Sequence, residues 1–299
     1  MSYKRLIQEG KSSTGAFFGT RPGSVEKRLI MAKPFDDPFP AGFWAPSGWQ
    51  ADLRRAAGLL TRLPLGAGEA AAPETAPAGH PARCYSLVGA GIGAAAAFAY
   101  GLGAWLSLPP FACALAALAV AMLLTGALHE DGLADVADGF GGGRDRLRKL
   151  EIMRDSRIGS YGVLALILVI AARGGSLAAV AQPAAAAAAL VAAHSLSRGG
   201  LAAIMWALPP ARSDGLAVAT GRPGGADAVA AIAIGLVASF LLLDFAVALT
   251  AVIAAATLQW VVAVQARRQI GGMTGDVLGA AQQLGEAAVL LVASAAAMP

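Results

Sequence analysis

The chain has 299 residues, 57% hydrophobic and only 14% charged, with a mean hydropathy of +0.61 and a formal net charge of +4. A soluble domain carries nearer a quarter charged residues, so the composition points to a polytopic membrane protein, and the small net charge gives no support for a nucleic-acid partner. The two cysteines, Cys84 and Cys113, make no disulfide framework.

Residues 1–50 are polar and broken by Pro and Gly, as in KPFDDPFPAGFWAPSGW, and are expected to form a poorly ordered extension. Lys4, Arg5 and Lys11 are followed by no apolar core, so no signal peptide is expected, and Met31 offers a second possible start. Residues 51–63 (ADLRRAAGLLTRL) read as a short amphipathic helix on the membrane surface, with Arg54, Arg55 and Arg62 near head groups. An Ala/Pro/Gly linker over 64–82 completes this 51–82 unit, and 83–299 is the membrane-embedded domain. Apolar segments fall near 85–108, 110–128, 160–181, 184–208, 226–243, 245–265 and 285–298. Most approach the roughly 20 residues a bilayer requires, and the last is short. Without strand-like alternation a β-barrel is not expected. The expected fold class is all-α, a helical membrane bundle of about seven transmembrane segments.

Charge placement predicts the orientation. With a cytoplasmic N-terminus, the cytoplasmic loops are 129–159, 209–225 and 266–284. Of the 23 Lys and Arg, 11 precede residue 84 and 10 lie in these loops; Arg173 and Arg198 fall inside spans, and the opposite turns carry none. The expected location is the inner membrane, with the site facing the cytoplasm.

The first loop holds the chemistry. Seven of the 19 acidic residues lie in the 26 positions from Glu130 to Asp155. Asp131, Asp135 and Asp138, at i, i+4 and i+7, fall on one helical stripe, expected to continue the second span. Like charges so placed repel by roughly a few tenths of a kcal/mol per pair, so a cation is expected among the oxygens. Mg²⁺ takes few protein carboxylates and leaves positions for substrate phosphates. Gly139 and Gly141–Gly143 are expected to end that helix by tolerating positive φ. A second helix near Asp145 brings Glu151 and Asp155, another carboxylate pair, interleaved with Arg154 and Arg157. A diphosphate between two Mg²⁺-bearing carboxylate groups, with arginines on its outer oxygens, is a workable arrangement. Asp145, Arg146, Arg148 and Lys149 read as solvated. His129 is either a general base or phosphate donor, or an interfacial side chain; Glu130 points off the stripe and is at most its neighbour.

Arg173 and Arg198, the latter in His194-Ser-Leu-Ser-Arg198, are candidates for an anion because too few acids sit at their depth to pair with them. Asp244 reads as interfacial. The third loop, Gly271-Gly-Met-Thr-Gly-Asp-Val-Leu-Gly-Ala280, offers Thr274 and Asp276 to a ligand or metal, or forms an ordinary turn and N-cap. No Walker A, Rossmann, His-Glu-x-x-His or nucleophile-elbow pattern is present.

Five segments together resemble cobalamin synthase, the adenosylcobinamide-GDP ribazoletransferase family: Leu60-Thr-Arg-Leu-Pro64, His129-Glu-Asp-Gly-Leu-Ala-Asp-Val-Ala-Asp-Gly139, Leu150-Glu-Ile-Met-Arg-Asp-Ser-Arg-Ile-Gly159, Ser197-Arg-Gly199 and Gly271–Ala280. They follow the family's order from about residue 56 to the C-terminus. The resemblance implies an Mg²⁺-dependent inner-membrane transferase that joins adenosylcobinamide-GDP to α-ribazole or its 5′-phosphate and releases GMP. It implies metal binding at Asp131, Asp135, Asp138, Glu151 and Asp276, substrate contacts from Arg154, Arg157, Arg198, Asp155 and Thr274, and proton transfer at His129. Glu130 departs from the apolar residue of some members. The expected partners are the two substrates and the lipid bilayer; a homo-oligomer is left open. The alternatives are a CDP-alcohol phosphotransferase, whose Asp-Gly-x-x-Ala-Arg pattern has Arg where Asp135 stands here, and a transporter, for which no inverted repeat is evident.

Overall fold

The computed structural model describes residue 39, residues 43–64 and residues 80–297. The linker 65–79 and most of the extension lie outside the described residues. The elements are α1 (Pro46–Leu60), a 3₁₀ turn (His80–Cys84), α2 (Tyr85–Trp105), α3 (Pro110–Thr125), α4 (Leu128–Gly142), α5 (Arg146–Ile152), α6 (Ser160–Val180), α7 (Pro183–Ala207), α8 (Leu216–Ala219), α9 (Gly225–Leu242), α10 (Phe245–Ile270) and α11 (Gly275–Ala297). Among the described residues no strand forms; Pro210 and Met273 make one isolated bridge. Six helices are long and apolar enough to cross a membrane, and α3 with α4 passes the same test as one bent pair. In hydrocarbon, backbone groups must be satisfied within the segment, so Ala/Leu/Val runs of this length become helices. Pro110 and Pro183 open two of them, where the missing N–H costs nothing.

Three expectations change. The acidic segment does not continue the second span. Gly126 (φ 65°) and Ala127 (φ 56°) are left-handed, and α4 leaves α3 at 89°. The 16 residues of α3 extend only about 24 Å, short of a ~30 Å hydrocarbon core. The third loop contracts from 266–284 to 271–274, because α10 runs to Ile270 and α11 begins at Gly275. This carries Gln282 and Gln283 out of the loop and into the same 23-residue helix as Glu286. The glycines after Asp138 do not stop α4 by positive φ, since it runs through Gly142 and is capped by Gly143 at φ −86°. They permit close approach instead: a Cβ at Gly139 would meet Met153 Cγ at 2.5 Å, and one at Gly141 the Tyr161 ring at 2.8 Å.

The most buried spans are α7 and α11. α7 packs on α2 and α9, and α11 on α10, α4 and α6. α4 runs antiparallel to α6: Glu130 meets Arg173 near the far end of α6, and Asp138 meets Gly159 and Gly162 at its start. The amphipathic segment forms α1. Its buried Asp52 pairs with Arg83 at 2.7 Å and also with Arg55. Arg83 donates to the Phe43 carbonyl at 2.6 Å and lies over the rings of Phe43 and Trp49. The Arg62 N–H donates to the Leu124 carbonyl at 2.7 Å, and its side chain lies against Gly126 at the α3–α4 bend. Arg55 and Arg62 thus have partners within the protein as well as a place near the surface.

Small residues bring the spans together, as expected where apolar burial gives no net drive between helices. At Gly89 a Cβ would sit 2.1 Å from the His194 carbonyl oxygen, whereas at Gly91 nothing lies within 4 Å. Gly89→Ala should destabilise the detergent-solubilised protein by about 1–3 kcal/mol. Gly91→Ala should be neutral or stabilising by up to about 1 kcal/mol. Thermal unfolding of the two variants side by side checks this, and equal midpoints would contradict the α2–α7 packing.

Candidate active site

The acidic stripe is divided by its surroundings. Asp131 is exposed, Asp135 half-buried and Asp138 buried. Asp138 accepts from the Gly159 N–H at 2.6 Å and the Gly162 N–H at 2.8 Å, using both carboxylate oxygens. These donors are the N-cap and third residue of α6, so Asp138 caps that helix from α4, where negative charge is favoured. Only glycine allows the approach: a Cβ at either position would lie 2.5 Å from an Asp138 oxygen. On the other flank, Gly132 and Gly279 let α4 touch α11. A Cβ at Gly132 would meet the Asp276 carbonyl oxygen at 2.9 Å, and one at Gly279 the His129 carbonyl oxygen at 3.0 Å. The backbone of Asp276 therefore lies beside Gly132, between Asp131 and Asp135 in sequence. The Asp276 carboxylate accepts from Thr274 Oγ1 at 3.1 Å and lies 3.4 Å from Arg212. Thr274 Oγ1 also accepts from the Val277 N–H at 3.2 Å near the start of α11.

Three loops are tied together beside α5. Arg146, expected to be solvated, instead joins them: Nε donates to the Ile270 carbonyl and Nη2 to the Ala211 carbonyl, both at 2.7 Å. The Ala211 N–H donates to Met273 O and the Met273 N–H to Pro209 O, each at 2.8 Å. Arg154 pairs with Asp214 at 2.5 Å, linking the α5–α6 loop to the α7–α9 connection. Asp155 pairs with Arg157 at 2.7 Å, and this hydrogen bond holds the Arg157 guanidinium above its ordinary pKa. Glu151 pairs with Arg148 on the exposed face of α5, and Asp145 caps the helix by accepting from the Arg148 N–H.

Behind α4 lies a buried polar network that corrects the reading of the intramembrane arginines. Arg173 pairs with Glu286 and, at 3.2 Å, with Glu130, and it donates to Gln283 at 2.7 Å. Gln283 donates to Glu130 at 3.0 Å. The other oxygen of Glu286 takes Gln282 Nε2, His194 Nδ1 at 2.9 Å and Arg198 at 3.5 Å. His194 Nδ1 also lies 2.9 Å from Arg198 Nη1. One ring nitrogen cannot donate to the carboxylate and accept from the guanidinium together. We assign Nδ1–H to Glu286, because a carboxylate is the better acceptor. Two acids and two arginines balance, so neither arginine is a free anion site. Arg198 is buried here while Arg154 and Arg157 are exposed on the loops, and the structure does not bring the three together. The sequence reading missed Glu286, Gln282 and Gln283 as partners. Their signal is Gln-Gln-x-x-Glu in an otherwise apolar helix, with two unpaired arginines in other spans. His129 is buried, and its Nδ1 has no hydrogen-bond partner among the described residues.

Among the described residues, no three of His, Cys, Asp and Glu converge closely enough to hold a metal ion. The five carboxylates expected around it form no ready-made cage: Asp138 holds α6, and Glu151 holds Arg148. The remaining donors, Asp131, Asp135 and the adjacent Asp276, still suit a hard cation that takes one or two carboxylates and completes its shell with water and substrate phosphates.

A sequence model described as cobalamin-5-phosphate synthase matches residues 52–294. The chain belongs to this family. A protein from Bradyrhizobium diazoefficiens named adenosylcobinamide-GDP ribazoletransferase is 49% identical over 248 residues, 82% of this chain and 94% of the relative. Relatives of the same name from Mesorhizobium japonicum and Azorhizobium caulinodans are each 46% identical, over 80% and 81% of this chain and 90% and 94% of their own lengths. No solved structure matches the chain. The match makes the chain a transferase of the cobalamin synthase family and spans the acidic helix, the three loops and the buried network alike.

Glu286→Gln should destabilise the protein by about 3–5 kcal/mol, because it leaves Arg173 and Arg198 short of a buried counter-charge. Asp138→Ala should cost about 0.5–2 kcal/mol, the value of a helix cap. Denaturation in detergent measures both; an Asp138 variant costing as much as the Glu286 variant would refute the division between cap and network.

Proposed function

We propose that the protein is an Mg²⁺-dependent adenosylcobinamide-GDP ribazoletransferase, which joins adenosylcobinamide-GDP to α-ribazole or α-ribazole 5′-phosphate and yields adenosylcobalamin or its 5′-phosphate and GMP. The observation that carries this reading is the shared name of relatives that align over nine-tenths or more of their own length. The acidic helix beside arginine-bearing loops supports it, because phosphoryl transfer asks mainly for positioning and charge stabilisation. Nothing in these relatives favours the CDP-alcohol alternative.

A hydroxyl of the ribazole attacks the corrinoid-side phosphorus of the diphosphate, and GMP leaves. Asp131 and Asp135, with Asp276 beside them, would hold Mg²⁺; the ion's chemistry here is neutralisation of diphosphate charge. Asp138 and Glu151 would join only by giving up α6 or Arg148. Arg154 and Arg157, whose pairs with Asp214 and Asp155 are exposed, would exchange those carboxylates for phosphate oxygens, with Thr274 lining the third loop. Arg198 acts on substrate only through the network. His129, whose Nδ1 is uncommitted, is the group we assign to take the nucleophile's proton. The excess of Lys and Arg in these loops supports a cytoplasmic site in the inner membrane.

Liposomes containing the purified protein, both substrates and Mg²⁺ should release GMP, and chelation should stop it. Asp131→Ala with Asp135→Ala should lower kcat at least about 10²–10³-fold, and His129→Gln about 10²-fold, with folding intact by thermal unfolding. Turnover surviving the double aspartate replacement would place the centre elsewhere.

A further inference from the structure

Away from α4, α5 and α11, a cavity of about 440 Å³ opens on the face made by α7, α9 and α10. Its floor is small and apolar, with Gly200, Ala203, Ala207, Ala255 and Ala256 among the lining residues. α9 packs on α7 and α10 packs on α11, while α10 only skims α7 and α9, which leaves the trough between them. Along α10 the lining runs from Val252 to Arg267, about 22 Å. That exceeds the ~15 Å of hydrocarbon in one leaflet. The polar end is basic. Arg267 lines it and is exposed. Arg222 donates to the carbonyl of Trp206 at 2.7 Å, one residue before Ala207 in the same wall. Among the described residues neither arginine has a carboxylate partner.

We propose that this groove is a binding site for one anionic phospholipid, an acyl chain lying along α10 and the headgroup phosphate between Arg267 and Arg222. The length and apolar floor match a chain rather than a soluble anion, and the two guanidiniums at one end match a negative headgroup. A groove on the outer face of membrane-crossing helices takes its occupant from the bilayer, and the charge at its mouth selects which lipid stays. None of the residues to which the reaction is assigned lines the groove, so it stands or falls separately from that assignment.

The test uses the full chain in detergent, with native mass spectrometry and titration of phosphatidylglycerol against phosphatidylcholine. The wild type should retain one phosphatidylglycerol per chain in preference to phosphatidylcholine. Arg222→Gln with Arg267→Gln should reduce that preference about thirtyfold, two basic contacts being lost, while neutral lipid is still held. Ala256→Trp, which fills the trough and leaves both arginines, should remove both lipids. Inorganic phosphate alone should leave the unfolding midpoint unchanged. Wild-type protein without a headgroup preference, or retention unchanged in both variants, overturns the proposal. So does a wild-type dimer that Ala256→Trp makes monomeric at constant bound lipid, which would assign the groove to a second copy.

Discussion

The carboxylate of Glu286 is the point from which the architecture around the site hangs. It is fully buried in α11 and takes Arg173 from α6 on one oxygen, and His194 and Arg198 from α7 with Gln282 on the other. Arg173 extends the grip to Glu130 on α4. Four helices are tied by one charge-balanced set. In a low-dielectric interior such a set gives little net stability over apolar packing, but removal of any member strands a charge. That makes it a specification device: α4, α6, α7 and α11 can meet only in the register that pairs two acids with two arginines. The placement of α4 follows. Its Glu130 end is fixed by the network, its Asp138 end by the α6 cap, and its side by the Gly132–Gly279 contact with α11.

Much of this was legible in the sequence. The apolar runs located most of the spans to within a few residues, since length and hydropathy are what a bilayer reads. The helix starting near Asp145 and the kinship in the acidic blocks were also readable from local pattern. The bend at Gly126–Ala127 was not, because Ala127 has no business at φ 56° on propensity alone; packing imposes it. The last span was misjudged because Gln282, Gln283 and Glu286 lower its hydropathy. The polarity of the glutamines placed the first ten residues of the helix in a loop, when its cause was the arginines in α6 and α7. The error about Arg173 and Arg198 has a related source: by apolar pattern Glu130 falls in a loop and Glu286 at the very start of the last span, so neither is placed at the depth of the arginines.

The glycines teach a related point. Gly139 and Gly141–Gly143 looked like helix terminators. The helix does end at Gly142–Gly143, but without positive φ, and Gly139, Gly141 and Gly143 also serve as flat surfaces on which Met153, Tyr161 and Lys149 rest. Gly159 and Gly162 admit a carboxylate from another helix to within 2.6–2.8 Å of their N–H groups. Sequence periodicity reports which face a residue occupies. It does not report how near a neighbouring backbone comes, and in a bundle built on small residues that distance decides the geometry.

The same geometry sorts the acids of the 130–155 stretch by task. Glu130 is held by Arg173 and Gln283, Asp138 by two backbone donors, Asp145 by the Arg148 N–H, Glu151 by Arg148 and Asp155 by Arg157. Asp131 alone in this stretch makes no hydrogen bond or ion pair among the described residues, and it is exposed while both neighbours in sequence are buried. A carboxylate kept at the accessible side of a rigidly held helix, one turn from Asp135 and beside the backbone of Asp276, repels its like-charged neighbours. An uncommitted carboxylate at Asp131, on a helix surface whose other acids are held by partners, is the group that the proposed cation and its phosphate ligand would use. The buried pairs make that surface rigid, and the absence of an internal partner at Asp131 leaves it available.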